Sequence, residues 1–121
     1  EMNVLGKETR LDPVVELVLF RIVQEALNNA RKHALASKVV VTLGYGVSAV
    51  GASIEDNGKG FDLAAVSRGV GRSEKLGIAG MKERAKLLGG SLDIDTAPGR
   101  GTRVAVRIPI ADPDTRGSAG R

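Results

Sequence analysis

The longest regular pattern in the chain is an aliphatic stripe from Val15 to Ala30, and it leaves few ways to fold. Val15, Leu19, Ile22, Val23, Ala26, Leu27 and Ala30 recur at the spacing of a helix with one apolar side. Asp12 and Pro13 stand just before it as an N-cap and a first helical residue, so the pattern predicts a helix over residues 13–33. Residues 38–45 and 47–54 read as strands rich in β-branched side chains, the second weakened by Gly51. Residues 91–96 and 102–110 alternate apolar and polar and form an expected hairpin around Pro98-Gly99-Arg100-Gly101. Between the pairs, residues 77–88 predict a second helix with Ile78, Met81, Ala85 and Leu88 on one face, ended by Gly89-Gly90. A short strand is expected near residues 3–5.

Composition narrows the class. The length of 121 residues suits one domain, expected over residues 1–110, with a polar tail at 111–121 expected to be disordered. Phe20, Tyr45 and Phe61 are the only aromatic residues, so the core must be aliphatic. The net charge of +4 allows either an ordinary basic domain or a polyanionic partner. Absence of cysteine excludes disulfides and thiolate metal sites and suits a reducing cytoplasm. No apolar run approaches the ~20 residues that a membrane span needs. The 16 glycines exceed the average usage of about 7% and gather in a few places.

Four constellations could carry chemistry. On the first helix, Glu25, Asn29 and Lys32 share one stripe beside the apolar face, with His33 roughly 80° round from Glu25. They read either as a solvated flank or as a carboxylate for a nucleophile, an amide oxygen for a hard cation and an ammonium for phosphate. Asp56-Asn57-Gly58-Lys59-Gly60 follows a strand. It is either a plain turn or an acceptor for an exocyclic amine, with glycines that let a flat ligand approach the backbone. Gly77 and Gly80 open the second helix, where free N–H groups and the helix dipole suit an anion or simply cap the helix. Gly99-Arg100-Gly101-Thr102 is a hairpin turn with the same ambiguity. The phosphate-loop pattern G-x-x-x-x-G-K-[ST] does not occur, which excludes a P-loop protein, and no G-x-G-x-x-G is complete, so the Rossmann and protein-kinase readings lose support.

In order and spacing these motifs resemble the GHKL ATPase superfamily of gyrase B subunits, heat-shock chaperones, sensor kinases and MutL. Residues 21–34, RIVQEALNNARKHA, are similar to the N box of sensor histidine kinases. Residues 77–84, GIAGMKER, resemble the second glycine box of the NarL/DesK-like subgroup, with Ile78 where leucine is usual. The resemblance implies an α+β fold, the two-layer Bergerat sandwich, whose mixed sheet is covered on one face by helices. It implies binding of Mg-ATP and supply of the γ-phosphate to a histidine on a separate dimerisation domain, with a response regulator downstream. By position, Glu25 is then the catalytic carboxylate, Asn29 the Mg²⁺ ligand, Lys32 a phosphate contact and His33 a ring against adenine. Asp56 accepts from the adenine amine, Gly58 and Gly60 admit the purine, Gly77 and Gly80 present N–H groups to phosphate, and Thr102 lies near adenine. Arg84 is assigned to the lid or the phosphates, and residues 62–76, with Arg68, Arg72 and Lys75, to the lid.

The same resemblance implies a cytoplasmic domain, monomeric in isolation, with no membrane or nucleic-acid contact and little or no autophosphorylation by this chain alone. His33 is the sole histidine and sits in the N box. A serine kinase of the anti-sigma type and a module that only binds nucleotide are the alternatives within the superfamily. A basic nucleic-acid-binding module is the alternative outside it, disfavoured by scattered charge and few aromatics.

Overall fold

The computed structural model describes residues 1–8, 10–64 and 77–110. The expected lid residues Arg68, Arg72 and Lys75 and the expected tail at 111–121 lie outside the described residues.

Among the described residues seven elements follow one another: β1 (Met2–Leu5), α1 (Pro13–Lys32), β2 (Val39–Tyr45), β3 (Ala49–Asp56), α2 (Ile78–Leu87), β4 (Ser91–Thr96) and β5 (Thr102–Pro109). The strands make one sheet in the order β1-β2-β3-β5-β4. β1 runs parallel to β2, and the other neighbours are antiparallel. The sheet is therefore mixed, and both helices pack on the same face of it, α1 over β2, β3 and β5 and α2 over β4 and β5.

Asp12 starts α1 as the sequence predicts: its carboxylate oxygen accepts the Val14 N–H at 2.9 Å, and Pro13 occupies the first turn. Val15, Leu19, Ile22, Ala26 and Ala30 are buried, a stripe of the expected period. Opposite them, register brings Val41, Ile54 and Val104 into line across β2, β3 and β5, and Val50 opposite Ile108. Ile22, Ile54, Met81 and Ile108 are the largest side chains sealed between the layers. Truncating one of them to alanine costs about 2–5 kcal/mol through lost burial and the cavity left behind.

Three expectations need adjusting. Leu27 does not join the stripe and is 39% exposed, because its position on the helix wheel falls outside the sheet-facing arc. The strand expected at 47–54 runs instead from Ala49 to Asp56, because β3 is central and both its neighbours bond it to the end: Val39 and Thr102 flank Asp56. The helix expected to reach His33 stops at Lys32, with His33 as its cap.

Candidate functional site

The polar ends of β3 and β5 meet the C-terminal half of α1 at a cleft. Asn29 and His33 of α1, Asp56 of β3, Thr102 of β5 and Gly60 line it, and Ile78 and Met81 of α2 close another side. Ala26, Ala34, Ile54, Phe61, Ile94 and Val104 complete an apolar lining, and the cleft encloses about 480 Å³ including its open mouth. A flat apolar body with a few polar edges suits such a lining.

Three segments distant in sequence are fastened together to make it. α1 ends when Leu35, a non-glycine residue at φ +53°, turns the chain so that the Ala36 N–H reaches the Ala30 carbonyl at 3.0 Å. Asn57 then ties the following loop to the end of β3. Its Oδ1 accepts from the Ser37 and Lys38 N–H groups, each at 3.0 Å, and its Nδ2 donates to Ser37 Oγ at 2.9 Å. Lys59 N–H donates to the Ala34 carbonyl at 3.0 Å. Gly58 completes this join: a β-carbon there would lie 2.5 Å from the Ala34 β-carbon.

A second fastener closes the other side. Thr96 Oγ1 accepts from the Phe61 N–H at 3.2 Å, donates to the Gly101 carbonyl at 3.0 Å and lies 2.9 Å from Thr102 Oγ1. Gly99 N–H reaches the Lys59 carbonyl at 2.6 Å. Gly60 has a positive φ, and any side chain there would collide with the Ala97 carbonyl. Asp56 and Thr102 are direct register partners, so the two polar side chains lie side by side at the sheet's end. One Asp56 oxygen accepts the Gly58 N–H at 2.8 Å, which fixes the carboxylate's orientation. The amide oxygen of Asn29 is buried in the facing wall.

The remaining sequence-predicted residues stand outside this lining. Glu25 lies one turn before Asn29 and belongs to a second, outer concavity shared with Arg21, Arg31 and Arg84. It nevertheless touches the phosphate-binding candidates: a β-carbon on Gly77 would come within 2.8 Å of the Glu25 carboxyl carbon. Gly77 has φ +66° and caps α2 without a side-chain hydrogen bond, and no acidic residue occupies that helix's first turn. Among the described residues no side chain caps the positive end of α2, which lies beside Glu25. Gly80 lies one turn into α2, and its nearest potential contact is the Arg84 guanidinium, 3.2 Å from where a β-carbon would sit. Lys32 is exposed and lines neither concavity: it shares the flank of Glu25 but stands about two turns further along, at the last residue of α1. Arg84, assigned by resemblance to the lid or the phosphates, lines the outer concavity.

Sequence reasoning missed Asn57 and Thr96, the two residues that lock the cleft's corners, and the apolar contribution of Phe61 and Ile94. Asn57 was visible as part of the turn string, but its partners lie 20 residues away. Thr96 looked like an ordinary strand end.

Comparison with known proteins places this geometry in context. The family model described as histidine kinase-, DNA gyrase B- and HSP90-like ATPase matches residues 14–112. The signal transduction histidine-protein kinase/phosphatase DegS of Brevibacillus brevis is 45% identical over 88% of this chain, which covers 26% of that protein. The sensor histidine kinase LiaS of Bacillus subtilis (strain 168) is 40% identical over 95% of the chain and 30% of its own length. The chain thus spans between a quarter and a third of these relatives. Among solved structures, the blue-light activated histidine kinase of Erythrobacter litoralis EL346 superimposes with a TM-score of 0.67 at 25% identity, covering 95% of this chain and 36% of that one. The ATP-binding domain of PrrB from Mycobacterium tuberculosis matches in fold, with a TM-score of 0.64 at 24% identity over 91% of this chain and 79% of that one.

Proposed function

Since the chain belongs to the histidine kinase-, DNA gyrase B- and HSP90-like ATPase family, we propose that it holds ATP in the cleft and hands the γ-phosphate to a histidine on a partner domain. The observation that carries this reading is the convergence of Asn29, His33, Asp56 and Thr102 on one apolar cleft, with Glu25 at the cleft's margin beside the open end of α2.

Each residue then has a task. Asp56 accepts from the adenine amine through the oxygen that Gly58 does not occupy, and Thr102 beside it bonds another ring position. Ile54, Ile78, Met81 and Val104 enclose the purine, with the His33 ring at one edge. Gly77 and Gly80 direct N–H groups of the α2 terminus toward the phosphates. Lys32 approaches them from the flank as a mobile cation. Phosphoryl transfer needs little covalent chemistry from the protein and depends on position and charge. Glu25 is placed to take the proton or orient the ring of the incoming imidazole.

A magnesium ion fits this arrangement in a limited way. The described residues contain no group of three or more His, Cys, Asp or Glu side chains able to hold a metal by themselves. Asn29 offers one hard amide oxygen in the cleft wall, which suits an ion that takes most of its ligands from phosphate oxygens and water. When bound, the ion would neutralise triphosphate charge.

The acceptor histidine belongs to a separate dimerisation domain of the parent kinase, and a response regulator would take the phosphoryl group onward. No described helix is long and apolar enough to cross a membrane. We place the domain in the cytoplasm as a unit that is monomeric by itself, whether or not its parent is anchored. Relatives at 45% and 40% identity that are sensor histidine kinases disfavour the anti-sigma serine-kinase alternative. Calorimetry with a non-hydrolysable ATP analogue and magnesium tests the reading. Micromolar to sub-millimolar binding lost on Asp56→Ala is expected; no heat at millimolar ligand would overturn it.

A further inference from the structure

Thr96 stands at the corner where β4, β5 and the chain after β3 meet, and its one hydroxyl makes three short contacts. The Phe61 N–H lies 3.2 Å from Thr96 Oγ1, the Gly101 carbonyl 3.0 Å and Thr102 Oγ1 2.9 Å. A hydroxyl has one hydrogen to give and two lone pairs to offer. An N–H only donates and a carbonyl only accepts, so two of the three contacts have a fixed direction. Thr96 accepts from Phe61 and gives its hydrogen to Gly101. The contact to Thr102 is then attractive in one sense alone, with Thr102 donating and Thr96 accepting. The reverse would set a Thr96 lone pair against the Gly101 carbonyl oxygen in a part-buried corner. Gly101 has little room to turn that carbonyl away, since it holds φ +80° with its backbone pressed against the Asp56 carbonyl.

We infer that Thr96 is a positioning residue for base selection: by holding the Thr102 hydrogen it leaves only Thr102 lone pairs facing the cleft, and so makes the site favour a 6-aminopurine over a 6-oxopurine. The inference rests on the nucleotide reading above and deepens it. Thr96 is not part of the cleft lining and acts through Thr102, which is, beside its register partner Asp56. One Asp56 oxygen is taken by the Gly58 N–H, and the other is an acceptor. Asp56 and Thr102 together therefore offer the base acceptors and no donor. An exocyclic amine has two hydrogens, one for Asp56 and one toward Thr102, directly or through a water. A 6-oxopurine carries an oxygen in that place and an N–H at the adjacent ring nitrogen. Asp56 can accept from that N–H after a small shift of the ring, so the carboxylate alone discriminates incompletely. The 6-oxygen then faces Thr102, where it meets lone pairs and no hydrogen. Freed from Thr96, the Thr102 hydroxyl would turn and donate to that oxygen.

Calorimetry of the whole 121-residue chain with magnesium and either ADP or IDP reads the preference as a ratio of two dissociation constants. The two ligands share ribose and phosphates, so general damage to the site weakens both alike and leaves the ratio unmoved. Thr96→Val keeps the side chain's shape and removes the hydroxyl. The preference for ADP should fall about 10-fold, with IDP binding held or improved while ADP binding weakens. Thr96→Ser keeps the hydroxyl and should stay within twofold of the unsubstituted ratio. Thr96→Ala, the second variant should valine disturb folding, leaves room for a water and should move the ratio the same way by a smaller factor. On a Thr102→Val background, Thr96→Val should leave the ratio unchanged, because no hydroxyl remains to be held. A ratio unmoved by Thr96→Val and Thr96→Ala overturns the inference. So does a Thr96→Ser shift as large as that of Thr96→Val, or a second full fall in the double variant. Absence of ADP binding to the unsubstituted chain at millimolar ligand would instead overturn the nucleotide reading beneath it.

Discussion

The two sides of α1 differ in how they are held. The inner side faces a cleft whose corners are fixed by Asn57, Gly58 and Thr96 through hydrogen bonds and close packing among segments far apart in sequence. The outer side is a charged, open surface where arginines and exposed Leu17 and Phe20 meet solvent. The same helix supplies both, and Glu25 stands at the boundary. The contrast teaches that the inner side is held in a fixed shape by bonds between distant segments, whereas the outer side is left open to solvent. Preorganisation lowers the ordering cost of binding on the first side.

Substitutions on each side should therefore fail differently, and the largest effect belongs to the boundary. Glu25→Gln should slow phosphoryl transfer by about 10²–10⁴-fold while leaving ATP-analogue affinity within twofold, measured by single-turnover transfer and calorimetry side by side. An equal loss in both quantities would place Glu25 inside the nucleotide site and erase the distinction. Next comes the inner side. Asp56→Ala should lower analogue affinity by roughly 10²-fold and reduce the preference for adenine over guanine nucleotides, because a ligand donor loses its half-buried acceptor. Retained preference would move the purine elsewhere.

Gly58→Ala tests the fasteners. The added methyl meets Ala34, so the join between the α1 end and β3 must open. A loss of about 1–3 kcal/mol in denaturant unfolding is expected, with weaker nucleotide binding as well. Unchanged stability would show the corner to be yielding. Leu35→Gly gives the smallest change and the opposite sign. Leu35 is 73% exposed and holds a left-handed backbone that disfavours any side chain. Glycine there should stabilise the chain by up to about 1 kcal/mol, seen as a raised Tm, with nucleotide binding untouched.

Much of the fold was legible in the sequence, because period alone separates α1 and α2 from the strands. The Asp12-Pro13 start and the β4–β5 hairpin follow from local chemistry acting within a few residues. What stayed hidden depends on distance along the chain. β3 extends to Asp56 because β2 and β5 both pair with it, a fact no window of sequence contains. Leu27 matched the apolar spacing loosely and only the packing shows that it faces outward. Of the candidate site, Asn29, His33, Asp56, Gly60 and Thr102 were found by motif and share the cleft lining. Glu25, Lys32, Gly58, Gly77 and Gly80 border it or stand apart from it. Asn57 and Thr96 escaped notice because each acts by bonding backbone groups of another segment, which leaves no compositional mark.

The account turns on whether one nucleotide fills the inner side alone. Amide chemical-shift mapping with a non-hydrolysable ATP analogue and magnesium tests this directly. The largest shifts should fall at Asn29, His33, Asp56, Gly58, Gly60 and Thr102, with Arg21, Leu17 and Phe20 nearly still. Shifts concentrated on the outer arginines, with Asp56 and Thr102 unmoved, would contradict it.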